Sequence, residues 1–359
     1  YNSTNGNITL AAPGGGGATE LNDLSDAVTY NNGVSIGLGT GALASDDGTT
    51  NNNTALGYNS LNAITSGSLS TAVGYEALKT VTTGHSNVAL GYQAMVNATG
   101  SESIAIGRVA QRQSTATGNI SIGYFAHYDL SSGSSNIAIG NQAGANQTTG
   151  NSNVCIGSAA FDAATTASNS VAVGSRALGA NTTADANHAF GYEALESNTT
   201  GTNNTAVGYQ TLNANTTGTN NTALGNGALS QAQTAHRNIA IGVQSLDAVV
   251  TGNDNTAIGV SALGANTSGE TNVAVGNSAL SLNTSGSGNV GAGYHALKEN
   301  TTGTRNVALG YQALTANTTG VRNVALGYNA LDANTSGNRN VALGDGALTA
   351  CGSKHYCFK

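Results

Sequence analysis

The stretch NVALGYQALTANTTGVR runs from Asn306 to Arg322, and NVALGYNALDANTSGNR follows at once from Asn323 to Arg339. Two consecutive windows of seventeen residues are almost the same phrase. Repeats at a fixed period decide an architecture before any single residue does. The glycine that closes NxAxG falls at Gly39, Gly57, Gly74, Gly91 and Gly107, then at every seventeenth residue from Gly123 to Gly344. That makes nineteen copies, with one step of eighteen and two of sixteen before Gly123. Four residues before each glycine stands Asn in fifteen copies and Ser in four (Ser35, Ser70, Ser103 and Ser170).

Seventeen residues are too few for two helices and a turn. They suit one β-coil of two short strands and two turns, with Asn and Gly bounding β-branched residues. A single coil cannot bury its own face, whereas stacked coils pair backbone to backbone at about 4.8 Å. The sequence therefore predicts an all-β chain: an elongated parallel β-solenoid, or β-roll, of about nineteen 17-residue coils, roughly 90 Å long.

In Asn306–Gly310, Val307 and Leu309 point one way and Ala308 the other. Both faces are apolar, so the strand is expected to be covered on both sides. A thin roll has one interior, and the second cover implies further chains, with the small Ala face closest to a symmetry axis. Tyr311–Leu314 reads as a second strand, with the Leu of this column (Leu280, Leu297, Leu314, Leu331 and Leu348) filling the coil. The Asn column is expected to form an amide ladder, and the column glycine to permit a turn or close backbone approach.

The remaining polar columns carry the candidate sites. Asn181, Asn198, Asn215, Asn266, Asn283, Asn300, Asn317 and Asn334 each open an Asn-x-Ser/Thr sequon in the NTTG turn. They are candidate glycosylation sites, or plain turn residues. Tyr294, Tyr311 and Tyr328 stand in one column and offer either stacked rings or a sugar-binding stripe. Arg305, Arg322 and Arg339 stand in another, where like charges at one-coil spacing should splay into solvent or form a basic recognition strip.

Composition narrows the function classes. Only 8% of residues are charged, the net charge is −7, and the chain has 50 glycines, one proline and no tryptophan. No basic face supports nucleic-acid binding, and no run of about 18 apolar residues marks a membrane span. The chain begins at Tyr1 without a signal peptide, as expected of a processed product. Six histidines fall in different columns, and HExxH, GxSxG and GxxxxGK phrases are absent; no enzyme, metal or cofactor is expected. Cys155 reads as a small buried hydrophobe. Cys351 and Cys357 bracket CGSKHYC, either as a disulfide loop or as two free thiols, the former fitting an oxidising location.

The phrase NVALGYQAL with NTTG between copies resembles the repeats of bacteriophage tail-fibre and related bacterial surface proteins, often upstream of a self-cleaving chaperone domain. NSVAVG, Asn169 to Gly174, resembles the head repeats of trimeric autotransporter adhesins. The resemblance covers nearly the whole chain. It implies trimeric left-handed parallel β-rolls, an extracellular or virion-surface location, and attachment to a host receptor or surface glycan. Two departures stand: the adhesin repeat is shorter than seventeen, and no stalk, anchor or chaperone segment is present, which fits a cleaved product.

Three segments are thus expected. Residues 1–34 are an N-terminal strand (NITLAA, 7–12), a glycine-rich linker and a cap or intersubunit contact. Residues 35–348 are the solenoid, and 349–359 a C-terminal cap. Ends need caps because an open coil is a sheet edge. The main expectation is a structural attachment fibre. A head-to-tail filament joined by the N-terminal strand is a second, and an ice-binding solenoid with Thr ladders a third.

Overall fold

The computed structural model describes residues 27–30, 35–47, 51–349 and 356–358. The NITLAA strand, the linker and Cys351 lie outside the described residues. The chain divides into two compact units, 1–169 and 170–359.

The first unit opens with β1 (Ala27–Tyr30), antiparallel to β2 (Ser35–Leu38), with Ala27 opposite Leu38 and Tyr30 opposite Ser35. From β2 onward every pairing in this unit is parallel. The strands are β3 (Thr54–Leu56), β4 (Thr71–Val73), β5 (Val88–Leu90), β6 (Ile104–Ile106), β7 (Ile120–Ile122), β8 (Ile137–Ile139) and β9 (Val154–Ile156).

The second unit holds β10 (Val171–Val173), β11 (His188–Phe190), β12 (Thr205–Val207), β13 (Thr222–Leu224), β14 (Ile239–Ile241) and β15 (Thr256–Ile258). It continues through β16 (Val273–Val275), β17 (Val290–Ala292), β18 (Val307–Leu309), β19 (Val324–Leu326), β20 (Val341–Leu343) and β21 (Tyr356–Phe358). Each is parallel to the next, without a slip of register: Ala308 lies on Ala325 and Ala325 on Ala342. The strand β21 adds to β20 with Cys357 on Ala342. The expected parallel solenoid is therefore present, one strand per repeat phrase.

Two expectations about the coil fail, for one reason. The coil is too thin to hold two opposed apolar layers. Its interior takes Ala308, Ala313 and Leu314, all fully buried, while Val307 is half-buried and Leu309 is exposed. The small residue of NVALG faces the inside of its own coil, where little room exists, and the larger aliphatics face out.

Tyr311–Leu314 is a turn rather than a second strand. Gln312 and Leu314 sit at φ +53° and +52°, a left-handed conformation costing roughly 1 kcal/mol or more per residue. The conformation splits Gln312, half-buried, from Leu314, fully buried, although strand alternation would place them together. Hydrogen bonds offset the cost by pointing to both neighbours. The Gln312 N–H donates back to Tyr294 O at 2.9 Å, and the Leu314 N–H donates forward to Ala330 O at 2.9 Å. Bonds between coils thus continue around the turns as well as along the strands. Leu280, Leu297 and Leu331 are fully buried as expected, and Leu348 is half-buried.

The column glycine is fixed by both conformation and space. Gly310 has φ +140°, and a Cβ there would run into the carbonyl oxygen of Gly327 one coil on. The same collision repeats from coil to coil, so NxAxG cannot end in any other residue without moving backbone.

Candidate functional site: the outward face and its ladders

Three kinds of column meet the outside or bind coil to coil. The first is apolar. Val307, Leu309, Val324, Leu326, Val341 and Leu343 are half-buried or exposed in this chain, as are their counterparts in the first unit, among them Ile36, Leu56, Ile139 and Ile156. Past the column glycine the face continues into tyrosine. Tyr294 stacks on Tyr311 at 5.1 Å and 15°, and Tyr311 on Tyr328 at 5.2 Å and 7°. Tyr58, Tyr75 and Tyr92 form a matching run at 5.2 Å in the first unit. A tyrosine at 43% exposure, such as Tyr311, leaves on the order of 80 Å² in solvent. With its aliphatic neighbours, a run of three coils exposes on the order of a few hundred Å², the size at which an apolar patch on a protein surface is often functional.

The rings in these runs cover one another's faces. A sugar stacking on tyrosine needs a free ring face, and inside a run only ring edges are presented.

The second kind is charged. Arg305, Arg322 and Arg339 are exposed, at φ +59°, +59° and +60°. No carboxylate lies within ion-pairing distance of them among the described residues. Lys79, Arg176 and Arg237 are paired with carboxylates. In the column of Arg305, Arg237 meets Asp254 one coil on, with Nε to Oδ1 at 2.6 Å and Nη2 to Oδ2 at 2.9 Å. Hydrogen bonds from Gln210 and Tyr192 hold the Glu193 carboxyl below its usual range.

The third kind is amide. Asn306 Nδ2 donates to Asn289 Oδ1 at 3.1 Å and to Gly320 O at 2.8 Å. The N–H of Asn323 donates to Asn306 Oδ1 at 2.9 Å. The expected ladder in this column is present, and in the early coils of the first unit, up to Asn119, it alternates with serine: Asn87 N–H donates to Ser70 Oγ at 3.2 Å, and Ser103 N–H to Asn87 Oδ1 at 3.1 Å.

A second ladder was not anticipated, and it consists of the sequon asparagines themselves. Asn283, Asn300, Asn317 and Asn334 each pass Nδ2 to the Oδ1 of the previous coil's asparagine, at 2.8, 2.7, 2.8 and 3.0 Å. Asn198 and Asn215 do the same at 2.8 and 2.7 Å. Asn181 Nδ2 donates to Ala184 O and Asn266 Nδ2 to Gly269 O. All eight are buried. In the folded coil their amide nitrogens are inside and engaged, so the exposed part of NTTG shrinks to its second threonine, as at Thr302 and Thr319. The period alone carried a signal for this: an asparagine that only turns the chain need not recur in one column beside a glycine three residues on.

The residue three places on packs against this asparagine and is most often glycine, although Asn181 has Ala184 there, and glycine also follows Ile64, Val81 and Leu130. A Cβ on Gly303 would meet Asn300 Oδ1 and Gly320 O. Where the column residue is Ala164 or Ala232, the partner position is Ala167 or Ala235.

One polar cluster lies inside the first unit. Ser121 Oγ is 2.9 Å from His127 Nδ1 and donates to Gln111 Oε1 at 3.2 Å. All three are fully buried, and Gly144 leaves room beside the ring on the next coil. Burial drives the His127 imidazole down to about 3, with Gln147 partly opposing. The contact resembles a nucleophile and its base, yet no substrate reaches it and no carboxylate orients the ring. It appears in the sequence as exceptions to columns: Ser for Ala, Gln and His for Leu. Cys155 is likewise buried, in the alanine column opposite Ala138, and burial pushes its thiol pKa up.

Among the described residues, no group of three or more His, Cys, Asp or Glu is placed to hold a metal ion. No helix there is long and apolar enough to cross a membrane. No family model matches the chain, and no curated protein matches its sequence.

Proposed function

We propose that the protein is a structural, non-catalytic fibre component of an extracellular or virion surface, working in attachment, and that its chains associate as a homotrimer through the outward apolar face. The observation that carries this is the pairing of a filled interior with an unfilled exterior. Ala308, Ala313 and Leu314 complete the core of one coil, yet Val307, Leu309 and Tyr311 remain outside it, and the pattern repeats in coil after coil. A surface of this kind favours burial by about 25 cal/mol per Å², and a repeating face is met most simply by the same face on another copy.

The repeat supplies the rest of the reading. Stacked coils with hydrogen bonds at every turn give stiff reach, and columns give the same side chain at regular intervals, which suits multivalent contact with a receptor or glycan. The polymerising alternative has less support at one end, where β1 already lies antiparallel on β2 within the chain. An ice-binding face has less still, because turn threonines such as Thr284, Thr301 and Thr318 donate their hydroxyls to carbonyls of the next coil.

Sedimentation equilibrium in native buffer is the test, with negative-stain images of the same sample. A three-chain mass with particles of fixed length is expected. A single-chain mass overturns the proposal, and continuous fibres would replace it with end-to-end assembly.

A further inference from the structure

Charge is spread unevenly along this chain. Beyond residue 297 stand six Lys and Arg against three Asp and Glu, whereas residues 1–297 hold five against fifteen. The three late carboxylates, Glu299, Asp332 and Asp345, stand in other columns than the arginines. The column just before the amide ladder therefore ends in cations alone: Arg305, Arg322 and Arg339, all exposed. They stand one coil apart, about 4.8 Å.

This column is a poor place for arginine. Its backbone is left-handed, at φ +59°, +59° and +60° for the three. Other coils fill it with residues that take this conformation more readily, as at Asn169, Asn203, Asn220 and Gly288. Arginine has neither the freedom of glycine nor a short amide to bond locally, and stacking three cations adds repulsion. Arg237, in the same column, offsets its charge against Asp254 one coil on, with Nε to Oδ1 at 2.6 Å. The three late arginines have no carboxylate in reach among the described residues. The Arg305 stem lies beside Gly288 on the coil before, where an added Cβ would meet Arg305 Cγ at 3.6 Å. An unfavourable residue is thus used three times running, at the one end of the sequence where cations outnumber carboxylates.

We propose that Arg305, Arg322 and Arg339 form a binding site for an acidic polysaccharide that carries one carboxylate per sugar and lies along the stack. This deepens the attachment reading and rests on it, though not on the number of chains. Attachment in general asks for a receptor or glycan of any kind, whereas the ladder selects a polyanion. A guanidinium takes a carboxylate through two parallel N–H···O bonds. A sugar linked end to end advances its chain by about one coil spacing, roughly 5 Å, so carboxylates and guanidiniums can meet one for one. An extended peptide presents same-side carboxylates about 6.6 Å apart and falls out of step by the third. A duplex nucleic acid or an anionic bilayer is wider than the ladder and would also meet exposed Glu270, which precedes it.

Binding of the full-length protein to immobilised polygalacturonate tests this, with the fully methyl-esterified polymer as the neutral control. Binding to the acid form is expected, weakening as salt is raised, with none above background to the ester. The triple Arg305→Gln, Arg322→Gln, Arg339→Gln variant should bind about tenfold or more weakly while sedimenting as the wild type does. Arg322→Gln alone should weaken binding more than Arg237→Gln, which removes the same charge outside the ladder. The proposal falls if the wild type does not bind, if acid and ester bind alike, if the triple variant binds as the wild type does, or if Arg237→Gln and Arg322→Gln act equally. Single-stranded DNA bound as tightly at the same salt would overturn the choice of a polysaccharide. A single-chain mass with binding intact removes the trimer and leaves this site, whereas a three-chain mass without binding removes this site alone.

Discussion

The two units solve the same problem with different chemistry. In the column that closes each coil, the first unit places Ile64, Val81, Ala98, Leu130 and Ala164, broken by Ser114 and Gln147, all buried. The second unit places Asn181, Asn198 and Asn215, then Asn266 to Asn334, equally buried. An aliphatic plug needs only volume and tolerates its neighbours. An amide needs a partner on the coil before and the coil after, so each asparagine is correct only because the others are. The comparison teaches that the second unit's interior is specified by hydrogen bonding, and the first unit's by packing.

Exchanging the two chemistries should break the comparison most visibly. Asn300→Leu removes the bonds of Nδ2 to Asn283 Oδ1 and Gly303 O and deprives Asn317 Nδ2 of one of its two acceptors, leaving Gly320 O. Leaving buried amide groups unpaired predicts a loss of about 3–5 kcal/mol. Hydrogen exchange should place the damage in the adjoining coils, because repeat arrays couple nearest neighbours. The reverse exchange, Val81→Asn, buries one lone amide in an apolar column and should cost less, about 2–3 kcal/mol. Equal sensitivity of the two sites in urea unfolding would erase the distinction drawn between the units.

The architecture was legible because it depends on period. A glycine every seventeen residues and β-branched residues before it leave few alternatives to stacked coils. Direction was not legible in the same way. Alternation says that Ala308 opposes Val307 and Leu309 without saying which side is inside, and the answer depends on the width of the coil. That width is set by the turn, where Gln312 and Leu314 adopt left-handed backbone that neither residue advertises. The sequon column was misleading for a related reason. NTTG describes an exposed turn and a buried ladder equally well until the coil above is in place. Cys351 lies outside the described residues, and so does the side chain of Cys357.

Acid should separate the units by a smaller amount. The folded His127 imidazole titrates near 3, against about 6.5 in an unfolded chain. Between those values the unfolded state binds a proton that the folded state refuses, so stability falls as pH falls through that window, by about 1.4 kcal/mol per pH unit. The group costs nothing above about pH 6.5. Amide exchange at pH 5 and pH 7 should show the first unit loosening around Ser121–Leu130 and the second unit changing less, its half-buried His295, held below its ordinary value by desolvation and then by Lys298, acting in the same direction. His127→Leu, which restores the residue usual in that column, should flatten the pH dependence. A slope that survives the substitution would assign the acid sensitivity elsewhere.

The smallest effect lies where the second unit itself lapses into the first unit's chemistry. The amide ladder stops at Asn215, whose Oδ1 has no hydrogen-bond partner, because the next coil supplies Ala232. Extending the ladder takes one change. The residue three after Ala232 is Ala235, and Asn181 already stands three before Ala184, donating Nδ2 to Ala184 O at 3.0 Å and accepting from Asn198 Nδ2 at 2.8 Å. Ala232→Asn should therefore supply the partner that Asn215 Oδ1 lacks and add up to about 1 kcal/mol, the net worth of a buried hydrogen bond. Thermal or urea unfolding of Ala232→Asn, with and without Ala235→Gly, measures it. If Ala232→Asn destabilises and Ala235→Gly restores the loss, the asparagine depends on a glycine three places on, and Asn181 beside Ala184 is the exception.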